Sequence, residues 1–299
     1  MLAQVGVRPY TEFQLHPDIV GLILVLGGAY VLGIRLLGPR CAPIPATPVS
    51  RFEAGCFAAG LISLWLVLTW PVHDLAENYL FSAHMVQHLV IMFLAAPLLL
   101  LGIPGWLMRA VVGHGQLFRI VRAITRPFPA FVIGNSALIL LHIPPIIAAQ
   151  AANPYVHGLM HQWMLLAGLI MWMPVLSPMP ELPRLNRLVQ MLYLFLHSVL
   201  PTVPGAFITF SDAPLYDHYK TTPRIWGLAP IDDQQIAGLI MKIGLGLSLW
   251  AMITVLFCVW QGDEERDERS VRDQSDEWDA VERAFARHAP ETTKEPIAR

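Results

Sequence analysis

The chain has 299 residues, 55 % of them hydrophobic and 14 % charged, with a net charge of −2 and a mean hydropathy of +0.51. Soluble domains carry about 25 % charged residues, so this balance excludes an ordinary soluble protein and gives no basic footprint for nucleic acid. What remains is an integral membrane protein.

Predominantly apolar runs fall near residues 19–37, 52–73, 81–102, 128–149, 157–176, 188–210 and 236–260. Each is close to the ~20 residues a helix needs to cross the hydrocarbon, and none shows the two-residue alternation of a barrel strand. The predicted fold is all-α, a polytopic bundle of about seven transmembrane helices. Its parts are a short N-terminal segment over 1–18, the bundle over 19–260 and a charged tail over 261–299.

Arginine placement sets the orientation. Arg35, Arg40, Arg51, Arg109, Arg119, Arg122, Arg126, Arg184 and Arg187 fall on one side of the predicted spans, against Arg8, Lys220 and Arg224 on the other. The arginine-rich side is expected to be cytoplasmic, which puts the N-terminus outside and the tail inside. Residues 1–17 lack a basic region followed by a short apolar core, so no cleavable signal peptide is expected. Cys41, Cys56 and Cys258 then sit towards the reducing side without a C-x-x-C pair, and read as small apolar residues rather than metal ligands.

Between the spans, the inner loop 103–127 reads as an interfacial helix whose arginines meet anionic lipid headgroups, with His114 solvated. The short outer connections 74–80 and 150–155 make antiparallel hairpins. The last outer loop, 211–235, is rich in aromatics and aspartates and reads as an ordered lid. With Glu12, Asp18, Asp74 and Glu77 it makes an acidic outer face, which either concentrates cations or is an ordinary solvated surface. The tail predicts a short surface helix, with Glu265/Arg269, Glu268/Arg272 and Asp279/Arg283 spaced as i,i+4 pairs and Trp278 on a thin apolar stripe.

Two histidine pairs at helical spacing carry the chemistry. His84/His88 and His157/His161 each open an apolar span, and both openings lie on the predicted outer side. Residues four apart share one helix face about 6 Å apart along the axis, so both imidazoles of a pair reach one ion. Met85 and Met92 accompany the first pair, and Met160, Met164 and Met171 the second. Imidazole suits copper, zinc and iron, and added thioether biases a site towards copper, Cu(I) above all. The candidate metal ligands are therefore His84, His88, His157, His161, His73, Met85 and Met160, with Asp74, Glu77 and His142 as further ligands or acceptors that fix a tautomer. The bland alternative is that the histidines bridge helices and the methionines pack. His197, beside the kink expected at Pro201, Pro204 and Gly205, is predicted to bridge helices, and Lys242 to snorkel or meet Asp232 or Asp233.

The stretches AENYLFSAHMVQHLVIMFLAAPLLLLGIP (76–104), HGLMHQWMLLAGLIMWMPVLSP (157–178), PGAFITF through LYDHY (204–219) and DDQQIAGLIM (232–241) resemble the caa3-type cytochrome c oxidase assembly factors, the multi-span CtaG type. The similarity covers about residues 52–260. It implies a protein of the bacterial inner membrane that helps assemble a haem–copper oxidase by delivering or inserting copper. Oxidase subunits and other copper chaperones would be its partners, and His84, His88, His157 and His161 match the family's histidines. An unrelated single-span family shares the CtaG name but carries a cysteine copper motif that this chain lacks. Two other functions stay open at this point: a bis-histidine haem electron carrier, and a metal transporter. No nucleophile–base–orienter set or phosphate loop is visible, so an enzyme is not expected.

Overall fold

A computed structural model describes residues 11–44 and 46–288. Every regular element among the described residues is helical, as long apolar runs require where no water can satisfy a free backbone group. Among the described residues, six helices are long and apolar enough to cross a membrane, and seven if a pair bent by 71° forms one span. Arg8, one of the few cations assigned to the outer side, lies outside the described residues.

Helix α1 (Pro17–Cys41) is followed by α2 (Arg51–Leu68). The Ser50 hydroxyl accepts the Glu53 N–H while the Glu53 carboxylate accepts the Ser50 N–H, a capping box that fixes where α2 begins. The run predicted to continue to residue 73 stops at Leu68. Pro71 has no N–H to continue the ladder, and the chain restarts as the short helix α3 (Val72–Asn78), which carries His73. Helix α4 spans Phe81–Gly102 and contains a π turn at Ile91–Ala95.

The loop expected to be one interfacial helix over 103–127 holds two helices, α5 (Gly105–Val112) and α6 (Gln116–Ile124). They separate at Gly113 and Gly115, with φ of 62° and 92°, angles that L side chains rarely adopt. His114 between them is exposed. The run expected over 128–149 divides into α7 (Pro127–Leu140) and α8 (Pro144–Ala152), because Pro144 and Pro145 can only begin a helix. Helices α6 and α7 are the bent pair.

Helix α9 (Pro154–Leu176) is capped by the Asn153 carboxamide oxygen. The sixth span is interrupted at Pro201 between α10 (Arg187–Val199) and α11 (Thr202–Thr209). The loop that follows contains α12 (Asp217–Thr221) and ends earlier than the predicted residue 235. Helix α13 already begins at Pro230, with Asp232 and Asp233 in its first turn, where acidic groups offset the positive end of the helix. A π turn at Ile240–Gly244 leads into α14 (Leu245–His288).

Helices α4 and α9 form the centre, each with 67 % of its apolar window buried against 6 % for α1. Helix α4 packs against α2, α3, α9 and α13. At Gly168 of α9 a Cβ would lie 3.0 Å from the Ala96 Cβ and 3.2 Å from the Met92 Cγ, so a side chain there would force the two central helices apart. One turn further on, the Trp172 indole N–H donates to the Met92 carbonyl at 2.9 Å, inside the π turn whose altered hydrogen bonding leaves that oxygen available.

Chain contacts divide the molecule into Met1–Ile253 and Thr254–Arg299, where the sequence reading draws its boundary at 260/261. Within the second unit the helix is longer than predicted and runs unbroken to His288, since no proline intervenes after Trp260. Arg269 pairs with Glu265 at 3.4 Å, and Arg283 Nε donates to the Asp279 carbonyl at 2.9 Å.

Candidate metal centre

Helical spacing stacks the rings of His84 and His88 with centroids 4.2 Å apart on α4, and those of His157 and His161 4.5 Å apart on α9. The two pairs face each other, with His88 5.7 Å and His84 6.4 Å from His161. His73, delivered by α3, completes the group at 5.5 Å from His157 and 5.9 Å from His161. All five rings are buried. One ligand atom from each of His84, His88 and His161 falls within 4.8 Å of the others, and the same holds for His73, His157 and His161.

The hydrogen bonds around this group fix a tautomer. His142 Nδ1 lies 2.5 Å from the Leu138 carbonyl, which can only accept, so in the neutral ring Nδ1 carries the proton and Nε2 bears a lone pair. That lone pair faces His88 Nδ1 at 3.2 Å, so His88 holds its proton on Nδ1 and its own lone pair on Nε2. His88 Nε2 has no hydrogen-bond partner. Neither do Nδ1 and Nε2 of His84, Nε2 of His157, and Nδ1 and Nε2 of His161. An unpartnered buried polar atom costs about 1–3 kcal/mol, so six such nitrogens in neighbouring rings oppose stability unless water or a ligand satisfies them. A cavity of about 10 Å³ beside them, bordered by Glu77, His84, Gln150, His157 and His218, has room for about one water or ion.

His73 differs from the other four rings. The Gln87 side-chain amide donates to the Val67 carbonyl at 2.6 Å and to His73 Nδ1 at 3.2 Å, leaving the His73 proton on Nε2, 3.4 Å from Glu77. Glu77 is partly exposed, and its other carboxylate oxygen lies 3.9 Å from His157. Burial pushes the Glu77 carboxyl above its usual range; His16 opposes this and Asp74 adds to it.

The predicted methionines stand elsewhere. Met85 packs into an apolar cluster with Phe81, Ile147, Tyr216, Tyr219 and Met241. Met160 borders an apolar groove with Leu140, Leu159 and Trp163. His197 donates from Nδ1 to the Tyr193 carbonyl of its own helix at 3.1 Å and meets the Phe131 ring edge-on at 4.6 Å, so it contacts α7 by ring packing instead of bridging by a hydrogen bond. Lys242 is exposed and does not meet Asp233, whose carboxylate is committed elsewhere.

That commitment went unforeseen in the sequence. Asp233, fully buried on α13, accepts the Phe81 N–H at 2.7 Å, the Ser82 N–H at 3.1 Å and the Ser82 hydroxyl at 2.5 Å. It thereby caps the start of α4, one turn before His84. The lid adds a second brace: the Tyr216 hydroxyl donates to the His142 carbonyl and the Tyr219 hydroxyl to the Ala76 carbonyl, each at 2.8 Å. His218 Nε2 donates to the Glu77 carbonyl at 2.8 Å, so the loop satisfies carbonyls at the end of α3. His16 and Gln87 were also missed. His16 Nε2 lies 3.1 Å from buried Asp74, which is therefore an internal partner and no part of an acidic surface.

A many-helix apolar bundle with one buried polyhistidine centre defines a multi-pass membrane protein whose titratable chemistry is gathered at one place. The chain belongs to the cytochrome c oxidase caa3 assembly factor family (Caa3_CtaG), whose profile matches residues 28–262. It is similar to an uncharacterised protein of Mycobacterium leprae (strain TN), 24 % identical over 277 residues that cover 87 % of this chain and 41 % of that protein. The chain thus spans about two-fifths of the length of this curated relative. No solved structure matches it.

Proposed function

We propose that the histidine cluster binds copper and that the protein holds the ion for insertion into a haem–copper cytochrome c oxidase, acting as a carrier and not as an enzyme. The observation that carries this reading is the convergence of six unpartnered imidazole nitrogens beside a cavity of ion size. Imidazole donors fit copper and zinc alike, and membership of an oxidase assembly family favours copper. Oxidase subunits and copper chaperones are the partners this role requires.

The arginine asymmetry supports a histidine end facing outward across the bacterial inner membrane, with the tail in the cytoplasm. Cysteines introduced as Asp217→Cys and Ser275→Cys read this directly. An impermeant thiol reagent applied to whole cells should label the first and spare the second, and labelling of the second alone would reverse the orientation. The haem alternative is disfavoured by space, because a macrocycle does not fit among five rings whose neighbouring centroids lie 4.2–6.4 Å apart, and a cavity of about 10 Å³ offers no slot for one. Metal analysis of detergent-purified protein with a visible spectrum tests the reading. Copper without a haem absorption band is expected, and stoichiometric haem or an absence of bound copper would sink it.

A further inference from the structure

We propose that the cluster contains two copper positions sharing His161 and occupied in turn: an entry position formed by His73, His157 and His161, and a holding position formed by His84, His88 and His161. This rests on the copper reading above and specifies how the same site is loaded.

The geometry gives two triads. Among the described residues the convergent ligand atoms form two sets of three with His161 in common, and no single set of four or five. An ion about 2.0–2.1 Å from each of three nitrogens in a plane separates them by about 3.5 Å, so either triad must close by little more than an ångström. Three imidazoles suit Cu(I) better than Cu(II), which takes tetragonal sets. A neutral imidazole offers one lone pair, so His161 serves one position at a time. The ion stays on His161 while it exchanges two ligands for two others, with no change of charge or oxidation state.

The two positions differ in strength for a structural reason. In the holding triad, His84 and His161 have no hydrogen bond to surrender, and His88 presents Nε2 because His142 and the Leu138 carbonyl fix its proton on Nδ1. In the entry triad, His73 is hydrogen-bonded by Gln87 at Nδ1 and faces Glu77 at Nε2, so an ion there must displace one of these partners. Position follows the same order. Glu77, the carboxylate beside His73 and His157, has a side chain 31 % exposed, whereas His84 is 1 % exposed and His88 2 %. A cation held at Glu77 lies against His73 and His157, whose ring nitrogens are 3.4 and 3.9 Å from its carboxylate, and passes to the holding triad by ligand exchange.

Cu(I) titration of the full-length protein in detergent against a competing chelator, with stopped-flow uptake, separates the positions. Wild type should bind one Cu(I) per chain. His84→Gln and His88→Gln should each weaken equilibrium affinity by about a hundredfold, since an ion at the holding position loses a ligand, while one weak ion remains. His73→Gln should leave affinity within about threefold but slow uptake about tenfold or more, and His161→Gln should abolish both. X-ray absorption of the loaded wild type should report about three nitrogen ligands, unchanged in His73→Gln, a check that stands even if a variant within α4 or α9 fails to fold. If His73→Gln weakens affinity as much as His84→Gln, there is one centre and the two-position proposal fails with the copper reading intact. Two ions bound at once would overturn the alternation. A wild type that binds no Cu(I) would remove the copper reading itself.

Discussion

The cluster on α4 and α9 and the single His197 on α10 are both fully buried histidine sites in apolar helices, and both leave an imidazole nitrogen unpartnered. At His197 that nitrogen stands alone: Nδ1 is bonded to the Tyr193 carbonyl one turn back, Phe131 covers the ring, and His197 belongs to neither convergent group. In the cluster, helices α3, α4 and α9 bring five rings together and a sixth, His142, orders one of them. The difference shows that burial of a histidine is weak evidence of ligation, since packing can shield one imidazole, whereas several unpartnered nitrogens meeting at one point have no packing explanation.

The contrast can be broken most directly by removing the cluster. A variant with His84, His88, His157 and His161 all changed to Ala should purify at normal yield without copper, and cells carrying it should lose oxidase activity; full activity with retained copper would make the rings structural. Next in size is Asp233→Ala. It strips the acceptor from two backbone N–H groups and a hydroxyl in a buried site, so unfolding in detergent should become easier by about 3 kcal/mol or more. Copper affinity should fall with it, because the start of α4 positions His84. His142→Phe should lower copper affinity by about ten- to a hundredfold while protein stability changes less, as expected of a group that orients a ligand from behind. Unchanged affinity would mean that His88 needs no help in choosing its tautomer. His197→Phe sharpens the comparison from the other side: copper binding should be unaffected and stability should shift by no more than about 1 kcal/mol. Smallest of all, truncation after Gly262 should leave the thermal midpoint in detergent nearly unchanged, since Val271, Trp278 and Phe285 are exposed. A drop of several degrees would show that the tail packs on the bundle.

Much of this was legible in the sequence because lipid simplifies the rules. Long apolar runs can only be helices, and i,i+4 histidines on a helix can only share a face, so the spans and the four central rings followed from composition and period. The methionines misled for the reason periodicity always can: i and i+1 lie about 100° apart on a helix, and Met85 therefore turns from His84 into the cluster around Tyr216 and Tyr219. His142 was named as a possible acceptor, but its role depends on a ring-to-ring contact across 54 residues that no local pattern encodes. Asp233 sat in a segment read as a loop because two adjacent aspartates resemble a solvated surface. The proline three positions before Asp233, at Pro230, was the available sign that a helix had already begun.

The Asp233 cap also carries a consequence for biogenesis. The amides it receives lie 152 and 151 residues earlier in the chain, at the head of the third predicted span. While the ribosome is still making the middle of the protein, those amides and the Ser82 hydroxyl have no Asp233 carboxylate to receive them, and the start of α4 lacks its cap. Only when α13 arrives is the head of α4 locked. His84 and His88 are thus translated early but set in place late, and a nascent chain whose final span is not yet inserted presents an unfinished cluster.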